Sequence, residues 1–227
     1  MSVPPVPSFP PDVTDLRYRR EVRPLLFPVS EPEDERVPES KRHLLLRTFL
    51  FQLLQHAFAD RHSVGCDQFV FWNARDPDRR CAPDSFVKLD RPDDVFPSWK
   101  TWERGTPELV VEIEGESSGK KLIWRERFER FEELGTREVV RFDYEAPAGS
   151  RLHVWDRIDD DLVERVVDGD ATPCLSLGLH WVVRDLEGVG PCLRLSRDAT
   201  GTDLVLSSRE ADARRVAELE AELARKR

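Results

Sequence analysis

Glu108-Leu109-Val110-Val111-Glu112-Ile113-Glu114 is an apolar run with acids embedded in it, and 28 residues before Glu112 a second such run opens, Pro83-Asp84 leading into Ser85-Phe86-Val87-Lys88-Leu89. Both runs are short, β-branched and apolar enough to be buried strands. A carboxylate beside such a strand costs several kcal/mol unless a cation, a proton or a hydrogen-bond donor compensates it. Three of them converging on one spot would suit a hard cation. In a strand, residues two apart share a face, so Glu112 and Glu114 point together while Val111 and Ile113 point the other way. The competing reading puts each acid at a strand end, facing water.

Outward from these strands, the chain organises itself around them. Residues 40–59 have helical spacing, with Ser40 as the cap and Leu46, Phe49, Leu50, Leu53, Leu54 and Phe58 among the apolar positions. Apolar residues surround much of this helix, which predicts burial against a sheet. Gly65 to Asn73 reads as a first strand with Phe69, Val70, Phe71 and Trp72 as its core, and Ala82 to Leu89 as a second, after an Asp76-Pro77-Asp78 turn. A loop spans Arg91 to Pro107 and carries Trp99 and Trp102, which either close over a site or, more commonly for tryptophan, enter the core. After the Glu108–Glu114 strand, Gly115 and Gly119 bracket a loop. Lys120 to Leu134 is then helical and stops at Gly135.

Glu138 to Tyr144 is another strand, and the remainder is β-rich: Arg151 to Ile158, Leu162 to Val167, Trp181 to Leu186 and Leu193 to Leu195. From Ser207 the sequence is helical again, with Val216, Leu219 and Leu223 at spacings of three and four, as in a short coiled coil or a surface helix. Nine of the 17 prolines fall in residues 1–38, which excludes regular helix and central strand there. The expected layout is therefore a Pro-rich arm over 1–38, one α/β (α+β) domain over 39–206 and a charged helix over 207–227.

A chain of 227 residues with 39% apolar residues can bury one core. Its net charge of −9 opposes tight non-specific attraction to nucleic acid and leaves room only for a locally basic groove. Cys66, Cys81, Cys174 and Cys192 lie far apart, without zinc spacing, and read as reduced thiols of a cytoplasmic protein. No apolar stretch approaches a membrane span.

The order of helix, Pro-Asp strand, glutamate-bearing strand, helix and strand resembles the PD-(D/E)xK nuclease superfamily, and within it the Uma-type restriction endonuclease family. His43 sits where that family has a histidine near the start of its first long helix. Pro83-Asp84 matches its Pro-Asp, and Pro107-Glu108-Leu109-Val110-Val111-Glu112-Ile113 matches its Pro-x-Leu-Val-x-Glu-Val/Ile. Gly135-Thr136-Arg137-Glu138-Val139 is similar to its Gly-Val-x-Glu-Tyr, and Leu177-Gly178-Leu179 to its late Leu-Gly-Leu. The likeness spans residues 39–206.

The resemblance implies a restriction-endonuclease-like core: a mixed central β-sheet flanked by helices, with extra β-hairpins and a C-terminal helix. It also implies a Mg²⁺- or Mn²⁺-dependent DNA endonuclease. Asp84 and Glu112 are the implied metal ligands, with the carbonyl of Ile113 as the neutral one, and a metal-activated water is the implied nucleophile. The usual Glu-x-Lys lysine is replaced by Glu114, which would act as an extra metal ligand or general base or merely add repulsion, and the lysine that the family carries on the following helix falls at Arg127, which could stabilise developing phosphate charge but whose pKa makes it a poor base. Gly115-Glu116-Ser117-Ser118 stands where Ser-Pro-Ser is usual. Lys120 or Lys121 could reach inward for the missing lysine, although a helix-start lysine is ordinarily solvated. DNA is the expected partner, with weak non-specific affinity, together with a possible homodimer and no membrane. The alternative is a catalytically degenerate protein that keeps the fold for binding or regulation.

Overall fold

The computed structural model describes residues 40–115 and 120–226, apart from the side chains of 120–123. The Pro-rich arm and the Glu116-Ser117-Ser118 segment lie outside the described residues. The elements run α1 (Lys41–Phe58), β1 (Ser63–Gly65), β2 (Val70–Phe71), β3 (Arg80–Cys81), β4 (Ser85–Lys88), β5 (Trp99–Lys100), α2 (Thr101–Arg104) and β6 (Leu109–Glu114). There follow α3 (Lys120–Leu134), β7 (Glu138–Asp143), β8 (Leu152–Ile158), β9 (Asp161–Arg165), β10 (Ala171–Cys174), β11 (Leu179–Leu186), β12 (Gly190–Ser196) and α4 (Ser208–Arg225).

Six strands form a mixed sheet in the order β1-β4-β6-β7-β8-β9. β6 lies at its centre, antiparallel to β4 and parallel to β7. A parallel neighbour requires a crossover, and α3 supplies it. This α/β architecture is the one expected from the order of motifs. Two small three-stranded sheets, β10-β11-β12 and β3-β2-β5, complete it.

Alternation along β6 decides which layer each residue meets. Leu109, Val111 and Ile113 join α1 and the β10–β12 sheet in one core, with Leu46, Leu50, Leu53, Leu54 and Trp181. Val110 faces the other layer, with Phe86, Trp99, Phe131, Leu134 and Val139. Full burial of each such side chain contributes about 1.5–3 kcal/mol. Glu112 and Glu114 share the face of Val110, as period two requires.

α1 is less enveloped than its composition predicts. Leu46, Leu50, Leu53 and Leu54 are buried by their i, i+4 spacing, but Leu44 and Leu45 are exposed. The strand expected over Gly65–Asn73 divides into β1 and β2, which belong to different sheets. Phe69, read as core, is half exposed in the gap between them. Asp67, at φ 63° in that gap, turns the chain away from the central sheet. The Ala82–Leu89 strand shortens to β4, and Arg80 and Cys81 just before it pair with β2. The loop over Arg91–Pro107 contains β5 and α2, and its two tryptophans divide. Trp99 is fully buried, with its indole donating to the Gly105 carbonyl at 2.8 Å, while Trp102 is half exposed. β10 was not foreseen, and β11 and β12 extend beyond the expected Trp181–Leu186 and Leu193–Leu195.

Gly65 shows how tightly β4 is seated. A Cβ there would lie 2.0 Å from Cζ of Phe86, a fully buried ring that packs edge-on to Trp99 at 5.4 Å. Gly65→Ala is expected to cost about 1–3 kcal/mol of stability by overpacking. A thermal melt lowered by several degrees is the expected reading; an unchanged melt would show that Phe86 has room to move.

α4 begins with a reciprocal cap. The Ser207 hydroxyl accepts from the Glu210 amide and the Glu210 carboxylate accepts from the Ser207 amide at 2.8 Å. Arg194 anchors the same carboxylate at 2.9 Å. Val216, Leu219 and Leu223 on α4 are exposed. Since no α4 side chain is buried, the cap and this anchor carry much of the docking. Ser207→Ala is expected to cost about 1 kcal/mol, seen as roughly fivefold faster amide hydrogen exchange across Ser208–Arg225.

Candidate active site

The β4–β6 register pairs Ser85 with Val111, so Asp84, one residue before β4, falls opposite Glu112. Asp84 is therefore brought to Glu112 by strand pairing itself. It is buried, and both its oxygens are engaged. Oδ1 meets Nε2 of His43 at 2.9 Å, and Oδ2 accepts from the Ile113 amide at 2.8 Å. His43 reaches it from the first turn of α1, whose N-cap Ser40 accepts from the His43 amide at 3.1 Å. The histidine that the resemblance places near the start of the first long helix thus touches the candidate ligand directly.

Glu112 is 2% exposed. Burial pushes its carboxyl well above the ordinary carboxylate range; the Arg127 charge opposes this, and the adjacent Asp84 and Glu114 carboxylates and a hydrogen bond with Asp84 add to it. Arg127 Nη1 donates to Glu112 Oε2 at 2.6 Å. In turn Glu112 holds the Arg127 guanidinium above its usual range. The alternation of acids and bases along α3 predicts a solvated face, but Arg127 leaves that face and turns to the sheet.

Glu114 is not a solvated strand end. It is 8% exposed, and Arg141 on β7 grips its Oε2 through Nε at 2.7 Å and Nη2 at 2.5 Å. The Arg141 guanidinium also lies 5.0 Å from the Trp124 ring. Arg141 is absent from the sequence-derived candidates, although a signal existed. It is the sole cation of the buried strand Glu138-Val139-Val140-Arg141-Phe142-Asp143, and the β6–β7 register sets it beside Glu112. The fourth acid of the opening stretch, Glu108, sits at the far end of β6, where it pairs with Lys88 and accepts from the Leu89 amide at 2.8 Å. It belongs to the frame, not the site. The side chains of Lys120 and Lys121 lie outside the described residues.

The structure thus brings Asp84, Glu112, Glu114 and Arg127 together and adds His43 and Arg141. A cavity of about 220 Å³ opens beside them, with Glu112, Arg127, Arg130, Arg80, Phe131 and Phe69 in its walls. Among the described residues no three His, Cys, Asp or Glu side chains are arranged to share an ion. Two adjacent carboxyls are nevertheless a donor set of hard oxygen, suited to a small divalent cation that keeps several waters. Ile113 faces the site through its amide, and its carbonyl is the neutral oxygen nearest in sequence.

The sequence profile of the family described as "Uma2: Putative restriction endonuclease" matches residues 34–187. A solved structure, a putative nuclease belonging to DUF820 from Anabaena variabilis, is similar over 62% of this chain and 75% of its own, at 12% identity and a TM-score of 0.41. No curated protein matches the chain. No helix among the described residues is long and apolar enough to cross a membrane.

Proposed function

This chain belongs to the Uma2 family of putative restriction endonucleases, and from that premise we propose that it hydrolyses phosphodiester bonds of DNA at the Asp84–Glu112 pair, with Mg²⁺ or Mn²⁺ as cofactor. The observation that carries the reading is Glu112: a buried carboxyl held against a second one in the middle of an apolar strand. A fold with no use for charge there would stabilise itself by placing valine at that position. Asp84 and Glu112 would hold the cation, with the Ile113 carbonyl as a third oxygen. When bound, the cation polarises the phosphoryl oxygen and makes its water a stronger nucleophile.

The remaining groups act on the carboxylates and the phosphate. His43 and the Ile113 amide fix the orientation of Asp84, as partners of a ligating carboxylate do. Arg127 is half exposed at the mouth of the cavity and stays protonated, so it serves as a phosphate contact and as the charge that balances Glu112. Glu114 is tied by two bonds to Arg141, which suits it to anchoring the sheet end of the site and not to proton transfer. We assign the catalytic domain to 39–206.

A specific observation favours a second reading. Arg127 and Arg141 already neutralise Glu112 and Glu114 from within the fold, as in a site retained for binding after cleavage is lost. Plasmid DNA incubated with the purified protein and Mg²⁺ or Mn²⁺ separates the two. Nicking that EDTA abolishes is the expected result; DNA binding without a single cut in either metal would leave the second reading standing and remove the first.

A further inference from the structure

We infer that the cavity beside Glu112 seats an unpaired nucleotide, so that the preferred substrate is single-stranded DNA and not an intact duplex; this rests on the hydrolytic reading above and names its substrate class. Three observations carry it. The first is charge. Arg80 and Arg130 line the cavity, and neither makes an ion pair with a described residue. Arg130 is steered by a single contact, Nη1 to the Arg80 carbonyl at 3.4 Å. In a chain of net charge −9, with carboxylates on both sides along α3, two arginines that form no ion pair with a described residue present a place for an external anion. Together with Arg127 they match the planar, bidentate recognition of a phosphate.

The second observation is aromatic. Phe69 lines the same cavity and is 49% exposed. It is not a loose side chain: its ring lies 5.9 Å from Phe71, and the Arg80 guanidinium backs it at 4.8 Å. A buttressed ring that is half exposed in the wall of a cavity is a stacking platform for a base. A base reaches it only when it has left its helix.

The third is repulsion. Through Arg130 the cavity adjoins a second depression of about 400 Å³ whose walls carry the acids Asp76, Asp78, Glu126, Glu129 and Glu133 against the cations Arg130 and Arg79, the latter already paired with Asp76 and Glu133. The backbone of a second strand laid there would meet carboxylates, whereas a single strand turning its base onto Phe69 avoids them. A small basic cavity inside an acidic surround therefore discriminates by strandedness, and base identity is left unread.

Fluorescence anisotropy in EDTA, which stops metal-dependent cleavage, with one labelled oligonucleotide presented single-stranded or annealed, tests this. Single-stranded DNA is expected to bind about tenfold more tightly. Phe69→Ala should lose roughly tenfold on the single strand and nothing on the duplex, and Phe69→Trp should retain the preference. Arg80→Ala with Arg130→Ala should flatten the salt dependence by roughly 0.7 per arginine in log–log slope. Phe69 is half exposed, so Phe69→Ala should melt like the parent. Equal or tighter duplex binding, or a Phe69→Ala loss that is the same for both forms, overturns this inference and leaves the nuclease reading in place. Failure of both oligonucleotides to bind overturns this inference alone, and plasmid cleavage with metal decides the nuclease reading separately.

Discussion

Glu112→Gln is expected to abolish metal-dependent DNA hydrolysis, by roughly 10³-fold or more, while the protein melts at the same temperature or higher. The two halves follow from one fact. Glu112 is almost wholly buried beside Asp84, so its negative charge is unfavourable to the fold, and the proposed chemistry is what would use it. Glutamine keeps the shape and a carbonyl oxygen for the Arg127 hydrogen bond, and it removes the charge that a buried carboxyl bears at such cost. What it removes from catalysis is the anion that would hold the cation, a loss at least as large as that of a single strong electrostatic group aimed at the reacting centre. Plasmid cleavage and a thermal melt read the two outcomes. Retained cleavage would detach Glu112 from the chemistry, and a large drop in melting temperature would mean its charge supports the fold after all.

Arg127→Ala has the second large effect, on stability. Glu112 would lose the donor at 2.6 Å and remain buried against Asp84. Breaking a buried ion pair from one side costs about 3–5 kcal/mol. The Arg127 side chain is 45% exposed, however, and solvent screening reduces this to about 1–3 kcal/mol. A divalent cation should then substitute for the missing charge. At about 100 times its dissociation constant it contributes about 2.7 kcal/mol, so Mg²⁺ is expected to raise the melting temperature of Arg127→Ala more than that of the parent. Arg127→Lys should behave like the parent. Equal Mg²⁺ shifts in all three proteins would show that Arg127 and the cation do not serve the same carboxylate.

The central sheet was readable because strand periodicity and the embedded acids are local signals. Glu108 to Glu114 is a strand within one residue of its expected start, and the shared face of Glu112 and Glu114 follows from alternation alone. Strand pairing is not local. Asp84 could be matched to Glu112 only through the resemblance, and the contact depends on a register that no residue of β4 announces. Phe69 misled for the opposite reason: its neighbours Val70 and Phe71 are apolar, but Asp67 redirects the chain into a second sheet and leaves the ring half exposed.

Arg127 and Arg141 define the limit most clearly. By charge pattern alone Arg127 is one more member of a solvated face; only the resemblance made it a candidate, and the packing of α3 on the sheet turns it to Glu112. Arg141 lay in plain sight as a cation inside an apolar strand. The rule that singled out Glu112, that a buried strand charge needs a partner, applies to it equally, and the two strands lie side by side. Glu114, which stands where the resemblance expects a lysine, is itself paired with Arg141 on the neighbouring strand.

Isothermal titration of Mn²⁺ into the parent protein, Asp84→Asn and Glu112→Gln tests the central claim most directly, because it asks about the cation without asking for turnover. The account predicts one site in the parent and its loss in each variant, with Glu103→Gln, on the exposed α2, leaving binding unchanged. Binding that survives both substitutions, or no binding to the parent at all, would contradict it.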